Sequence, residues 1–447
     1  MNAVVVAIAI VVVLSLLRIS VVLSMVVGAV VGGLVAGLPF LDVVHAFEKG
    51  LGGGAVIALG YGTLGAFAVV LSRTGVTQAF ADLLIQKVNH NAKLGKTAKG
   101  LVFIIFLSLI AMGFAAESIV PIHIAFIPIV VPPLLLVFNK LQLDRRAIAC
   151  ALTFSVVTMY MAVPLGYGAI YLNDILMKSI NEAAQPFGHV YKQSLAMKAM
   201  AIPCLGMLVG ALTAILFTYR KKRVYQDLPI ADDSNDSPTP KLNLLQKLIV
   251  LGGIVLALVT QVVTNSMVFS GVVGFSVVSL SGVVNWKEQD HYFLQGMRLM
   301  AMIGFIMITA NGFAEVMKTT GEIPQLVSAS AEMIGHNKSI AALVMLIIGL
   351  LITLGIGSSF STIPIIATIY VPMCIQFGFS PLATIALIGA AGALGDAGSP
   401  ASDSTLGPSA ALGADGQHNH IWDTVVPTFI HLNLPLIAAG WIAAMIL

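Results

Sequence analysis

The sequence predicts an all-α polytopic membrane protein built as two inverted repeats. Three observations carry that prediction: an apolar composition, a self-similarity at constant spacing, and an uneven placement of Lys and Arg. Of 447 residues, 58% are hydrophobic and only 10% are charged, against a charged share of about 25% in soluble domains. Runs such as Ala3 to Leu17, Val21 to Leu38, Ala98 to Met112, Ala199 to Phe217, Leu248 to Val263 and Ile340 to Leu354 are long enough to cross a bilayer core or most of it. The first run has neither a basic start nor a small-residue cleavage site, so it reads as a retained helix rather than a signal peptide. A net charge of +3, with the basic residues gathered in loops, argues for membrane topology and against a nucleic-acid partner. Cys150, Cys204 and Cys374 sit singly in apolar segments, which suits packing rather than a metal.

Self-similarity sets the organisation. "SMVVG" at 24–28 corresponds to "SGVVG" at 270–274, "GAFAVVLSRTG" at 65–75 to "NGFAEVMKTTG" at 311–321, and "HN" at 90–91 to "HN" at 336–337, each pair 246 positions apart. Further along, Pro121 corresponds to Pro364 and Pro164 to Pro400, after the loss of a few residues. The first repeat is 1–219 and the second 244–447; the charged, Pro/Ser/Asp-rich stretch 220–243 reads as the cytoplasmic linker between them. Basic loops at Lys87 to Lys99, Lys140 to Arg146 and Arg220 to Arg223 belong on the cytoplasmic side, and 178–196 outside. Their counterparts near Lys338 and at 377–383 are almost uncharged. Equivalent loops therefore face opposite sides, and each repeat has five crossings and one re-entrant hairpin. Inverted repeats mark secondary transporters whose site lies at the midplane between them.

Each repeat carries two polar breaks. The first is the re-entrant hairpin, at about 100–139 with its tip in "GFAAESIVP" (113–121) and at about 340–377 with its tip in "GIGSSFSTIP" (355–364). Non-helical backbone at that depth persists only where protein or a water-filled cavity covers it. The second is a broken helix, at about 146–177 around "MAVPLGYGAI" (161–170) and at about 382–412 around "GDAGSPASDST" (395–405). Gly and Pro split the helix there, exposing N–H groups on one side and carbonyls on the other, ends that attract anions and cations respectively.

The candidate substrate- and ion-binding residues follow from those breaks. They are Glu117 and Ser118 at the first tip, Ser358, Ser359, Ser361 and Thr362 at the second, and Asp396, Ser399, Ser402, Asp403, Ser404 and Thr405 at the second broken helix. A charged Asp at the bilayer centre costs roughly 2.5–3.5 kcal/mol on insertion scales, so each carboxylate needs a cation, a proton or a set of donors. An alternative stays open: Ser and Asp also cap half-helices, and tip hydroxyls also satisfy backbone. Asp403, flanked by Ser402, Ser404 and Thr405, is expected to be best supplied with donors and to take Na+ or an ammonium group. Glu117, set among apolar residues, suits a proton carrier. Asp396, close to glycines on both sides, is expected to be poor in side-chain partners. His418, His420 and Asp423 lie in a polar loop where metal binding is the weaker reading, and His123, His431 and Asn433 read as helix-to-helix hydrogen bonds. No "GxxxxGK[ST]" stretch supplies an ATPase engine, and no constellation of nucleophile, base and orienter marks an enzyme. No cofactor is expected, and the one metal the reading allows is Na+ at Asp403.

With these motifs in view, "GDAGSPASDST" resembles the G-D-x-x-S-P-x-S-D-[ST]-T signature of NhaC-type Na+/H+ antiporters, and "GSSFST" (357–362) resembles their G-[ST]-S-[WF]-[GS]-T motif. More narrowly the chain is similar to the YuiF-like branch, linked to amino-acid and particularly histidine transport. The resemblance implies the ion-transporter superfamily plan: a transport domain of hairpins and broken helices moving elevator-fashion against a scaffold, which makes a homodimer, in a bacterial inner membrane. One departure is Ala397, where NhaC-type sequences commonly have Lys. Losing that charge beside Asp396 leaves room for a cationic or zwitterionic solute. The expected function is ion-coupled secondary transport of a small polar solute, an amino acid such as histidine, with Na+ or H+ as coupling ion. The alternative is a Na+/H+ antiporter proper.

Overall fold

Apolar segments in a bilayer can satisfy their backbone only by closing hydrogen bonds within the segment, so they fold as helices. The computed structural model describes residues 2–74, 98–118, 131–228, 243–322 and 337–447, apart from positions 18, 265, 281, 283, 357 and 401, together with a few isolated positions in between. Among the described residues there are helices and no strands. In the first half they are α1 (Ala3–Leu16), α2 (Val21–Val35), α3 (Phe40–Arg73), α4 (Ala98–Ser118), α5 (Arg145–Ala162), α6 (Tyr167–Phe187) and α7 (Gln193–Thr218). In the second they are α8 (Leu244–Thr264), α9 (Met267–Leu280), α10 (Gln289–Thr320), α11 (Lys338–Ile356), α12 (Ser359–Gln376), α13 (Pro381–Ala393), α14 (Asp403–Leu412) and α15 (His420–Ile446). Among the described residues, five helical spans are long and apolar enough to cross a membrane, six if the bent α5–α6 pair counts as one.

The two long helices α3 and α10 pack main chain on main chain. A Cβ on Gly50 would stand 2.5 Å from the Asn311 carbonyl oxygen, and one on Gly296 would stand 2.2 Å from the Ala66 nitrogen. Side chains at these points would force the helices apart, so glycine sets the approach. Because 50 meets 311 while 66 meets 296, the two helices run antiparallel.

In the region of the second expected hairpin, α11 and α12 lie side by side. Lys338 Nζ, at the start of α11, donates to the Gly378 carbonyl oxygen just past the end of α12, at 2.6 Å, so α11 starts where α12 ends and the two helices run antiparallel. Of the first hairpin, α4 and a return segment ending in the short helix Leu135–Lys140 are described; its tip beyond Ser118 lies outside the described residues. The broken helices are also present. α5 and α6 meet at 55° across Gly166, whose φ of +57° only glycine adopts freely. α13 and α14 are parted by Gly395, at φ +88°, a single tight turn at Asp396–Gly398, and extended Ser399.

Charge ties one end of the bundle together. Arg145 is fully buried at the start of α5. It donates to both Asp415 oxygens at 2.6 and 2.5 Å, to the Leu412 carbonyl at 2.8 Å and to Asn139 Oδ1 at 3.0 Å, and its guanidinium lies 4.3 Å from the Tyr225 ring centroid. Burial alone would push the Asp415 carboxyl up, but the Arg145 fork and the Gln417 donors more than offset it and hold Asp415 below the usual carboxylate range. The described part of the linker joins the same knot. Arg223 pairs with Asp423 at 2.9 Å, and the Gln226 N–H donates to Gln417 Oε1 at 2.9 Å.

His418 sits in this knot, with Nε2 2.6 Å from the Thr424 hydroxyl. Burial first, then the cations Arg145 and Arg223, lower its pKa to about 4, partly opposed by Asp423. A histidine with an ordinary unfolded value near 6.5 then takes up protons on unfolding between that pH and about 4. Stability is therefore full above about pH 6.5 and falls as pH drops through that window. Thermal unfolding in detergent should show wild type losing more stability between pH 7 and pH 5 than His418→Gln, by about 2 kcal/mol; parallel pH profiles would refute the assignment.

Candidate functional site

The second break gathers its polar groups around one carboxylate. Asp396 is 5% exposed. Its Oδ2 accepts from the Tyr160 hydroxyl at 2.5 Å and from Ser359 Oγ at 2.6 Å. Its Oδ1 accepts from the Ser402 hydroxyl. The three donors come from three places: Tyr160 from the last turn of α5 in the first half, Ser359 from the hairpin tip at the head of α12, and Ser402 from the N-cap of α14. Hydrogen bonds to a charged group are each worth about 1.5–3 kcal/mol, enough together to offset the roughly 2.5–3.5 kcal/mol of placing an Asp at membrane depth. This corrects the expectation for Asp396: Ser402 comes from the same motif, but Tyr160 and Ser359 come from remote segments, which sequence proximity cannot reveal.

Local structure explains why the donors aim inward. Ser402 also accepts from the Ser404 N–H at 3.1 Å, so one hydroxyl both caps α14 and reaches Asp396. Thr405 is turned to the backbone, donating to the Ser399 carbonyl at 2.5 Å and to the Ser402 carbonyl at 2.9 Å. Thr153 of α5 donates to the Ser404 carbonyl at 2.9 Å, which holds the two broken helices against each other. Under the carboxylate lies an aromatic floor. The Tyr160 ring is 4.6 Å from Tyr171 and 5.6 Å from Phe360, and Phe360 is 4.9 Å from Tyr167. These rings exclude water and leave Asp396 dependent on its designated donors.

The other expected site residues fall out differently. Asp403 is exposed at the first turn of α14, and of the hydroxyls beside it in the chain, Ser402 is directed to Asp396 and Thr405 to backbone. Ser404 and Ser399 are buried, with Ser399 Oγ 3.5 Å from the Leu354 carbonyl. Thr362 donates back to the Ser358 carbonyl at 3.0 Å, and Ser358 is the half-buried N-cap of α12. Glu117 is fully buried on the last turn of α4, a helix that packs on α5 and on the first turn of α6 beside the other break. The side chains of Ser118 and Ser361 and all of His123 lie outside the described residues. His420 bridges Ser409 Oγ at 2.8 Å and the Pro400 carbonyl at 2.9 Å.

Two residues at the centre were not among the sequence candidates for binding. Tyr160 sits in an apolar run and reads there as packing; its one sequence signal is its place two residues before the end of α5. Asn433, fully buried where a wide π turn distorts α15, accepts the Gly395 N–H at 3.1 Å, while its Nδ2 has no hydrogen-bond partner among the described residues. It grips the turn that carries Asp396.

Interrupted helices, an antiparallel helix pair and a buried, hydroxyl-ringed carboxylate within an apolar helical bundle define a polytopic membrane transporter. The family model described as the Na+/H+ antiporter family matches residues 151–441, and a second, described as the Na+-H+ antiporter family, matches 2–88. The chain belongs to the Na+/H+ antiporter family, whose members are transporters rather than enzymes and whose coupling ions are Na+ or H+. It is 51% identical, over the whole of both chains, to "Uncharacterized membrane protein VP2115" of Vibrio parahaemolyticus. It is 47% identical, again over the whole of both chains, to "Putative amino acid transporter YuiF" of Bacillus subtilis. Among solved structures it is similar to the Alcanivorax borkumensis YdaH transporter, with a TM-score of 0.59 at 16% identity over 90% of this chain and 87% of that one. The Neisseria gonorrhoeae protein MtrF, described within a class of antimetabolite efflux pumps, gives the same TM-score and identity over 91% of this chain and 85% of that one.

Proposed function

We propose that the protein is an ion-coupled secondary transporter of an amino acid such as histidine, with the cation or ammonium group held at Asp396, in the cytoplasmic membrane of a bacterium. The observation that carries the proposal is the Asp396 cluster, where a buried carboxylate on an interrupted helix is served by hydroxyls from both halves of the chain. Ala397 beside it leaves no fixed cation in the adjacent position. The printed name of the Bacillus relative, an amino acid transporter, points the same way.

Two further observations support inverted repeats. Residues 50 and 296, and 66 and 312, are counterparts at the spacing of 246, and Gly50 meets Gly312 as Gly296 meets Ala66. Likewise Gly28 faces Phe313 while its counterpart Gly274 faces Phe67. Reciprocal contacts of this kind, between helices that run antiparallel, are what a two-fold axis in the membrane plane produces. The loop around Asp415, which joins α14 to α15 as the loop after Phe187 joins α6 to α7, is bonded to Arg145 and the linker, the side on which inversion would put it. The hairpins and broken helices form the moving unit, α1–α3 and α8–α10 form the scaffold, and a homodimer through that scaffold completes the arrangement.

The description of the matching family favours a second reading, Na+/H+ exchange without organic solute. Counterflow in proteoliposomes with labelled amino acids, with and without Na+ and pH gradients, separates the two. Accumulation of one amino acid that depends on either gradient is expected. Na+-driven proton movement with no amino-acid counterflow would overturn the proposal in favour of the exchanger.

A further inference from the structure

A chamber separate from the Asp396 cluster opens where α10 meets α6 and α12. It has a volume of about 180 Å³ and is walled mainly by Ala183, Pro186, Phe187, Lys318, Thr368 and Pro372. A smaller space of about 10 Å³, room for one water, shares Ala183, Lys318 and Thr368 with it and is also lined by Glu182, Asn311 and Pro364. Along α12, Pro364 lies five residues and Thr368 nine residues beyond Ser359, about 8 and 13 Å at the helical rise. The two spaces thus lead from the ends of α6 and α10 toward the hairpin tip that serves Asp396.

The chemistry of the walls is uneven. The larger chamber is apolar except for one formal charge, the half-buried Lys318, and among the described residues no carboxylate pairs with it. A carboxylate beside an ammonium on a half-buried, otherwise apolar wall gains more than in bulk water, so Lys318 favours an anionic group there. Glu182, lining the smaller space at 4.0 Å from Lys178, offers an acceptor for an ammonium group. The apolar volume exceeds the engineered cavity of about 150 Å³ that takes up benzene, so a ring fits between them.

We propose that this chamber is an outer vestibule that binds a zwitterionic amino acid with a compact ring side chain, its carboxylate on Lys318, before the solute reaches Asp396. The inference rests on the transport reading above and adds a second site to it. The test places a cysteine at Ala183, the native cysteines being buried, and measures its modification by a membrane-impermeant methanethiosulfonate reagent added outside. L-histidine or L-phenylalanine should slow modification at least tenfold. Their carboxyl-free counterparts, histamine and phenethylamine, should not. Lys318→Gln should abolish the protection and raise the KM of transport about tenfold with unchanged maximal rate, and Lys318→Arg should restore both. Absence of labelling, equal protection by the amines, or protection that survives Lys318→Gln overturns the vestibule. Asp396→Asn should retain the protection while losing ion-coupled transport. Loss of coupling in Asp396→Asn together with a wild-type KM in Lys318→Gln would remove the vestibule and leave the Asp396 reading standing.

Discussion

Arg145→Met is expected to destabilise the protein by about 3–5 kcal/mol, because it leaves the Asp415 carboxylate buried without its counter-charge. Both side chains of the pair are almost wholly enclosed, at 0% and 2% exposed, so water cannot take over the lost hydrogen bonds. The same change also frees the Leu412 carbonyl and Asn139 Oδ1 from Arg145 and removes the nearer of two cations from the Tyr225 ring. Replacing both partners, as in Arg145→Met with Asp415→Leu, should recover most of the loss, since a well-packed apolar pair avoids the desolvation cost altogether. The midpoint of thermal unfolding in detergent reads both effects. A neutral single substitution, or a double substitution no better than the single, would show that the knot holds nothing together.

Asp396→Asn is expected to reduce ion-coupled transport at least about a hundredfold, equivalent to roughly 2.7 kcal/mol or more in the transport barrier, while the protein remains folded. The amide keeps the shape of the carboxylate and can still meet Tyr160, Ser359 and Ser402, but it carries no charge for a cation and cannot exchange a proton. Tyr160→Phe removes one donor and should cost less, about 1–2 kcal/mol or five- to thirtyfold. Asp403→Asn should cost least, since that side chain is exposed. Initial uptake rates in proteoliposomes at matched protein content rank the three. An Asp403→Asn effect larger than that of Asp396→Asn would return the ion to the first turn of α14.

Part of this architecture is legible in the sequence because clustered glycine, proline and polar residues mark the interruptions, whereas single prolines such as Pro203, Pro364 and Pro372 stay inside helices. "GDAGSPASDST" announces the interruption at Gly395, and the spacing of 246 announces the correspondence of Gly50 with Gly296. What the sequence cannot supply is direction. Ser402 and Thr405 stand beside Asp403 in the chain, yet the start of α14 turns Ser402 to Asp396 and Thr405 to the backbone. Tyr160 is 236 positions from Asp396, and its hydroxyl becomes a donor only when the end of α5 is brought against the second break. Arg145 reads as a topology marker in a basic loop, and its burial against Asp415 depends on a contact 270 positions away. Local composition places the polarity at membrane depth, and tertiary packing decides which carboxylate receives it.

Binding of the transported amino acid to the purified protein, titrated at several Na+ concentrations and pH values in wild type and Asp396→Asn, tests the site most directly. Saturable binding whose affinity rises with Na+ or with protons, and which Asp396→Asn abolishes, is the predicted result. An Asp396→Asn protein that binds the same amino acid with wild-type affinity and the same ion dependence would contradict it.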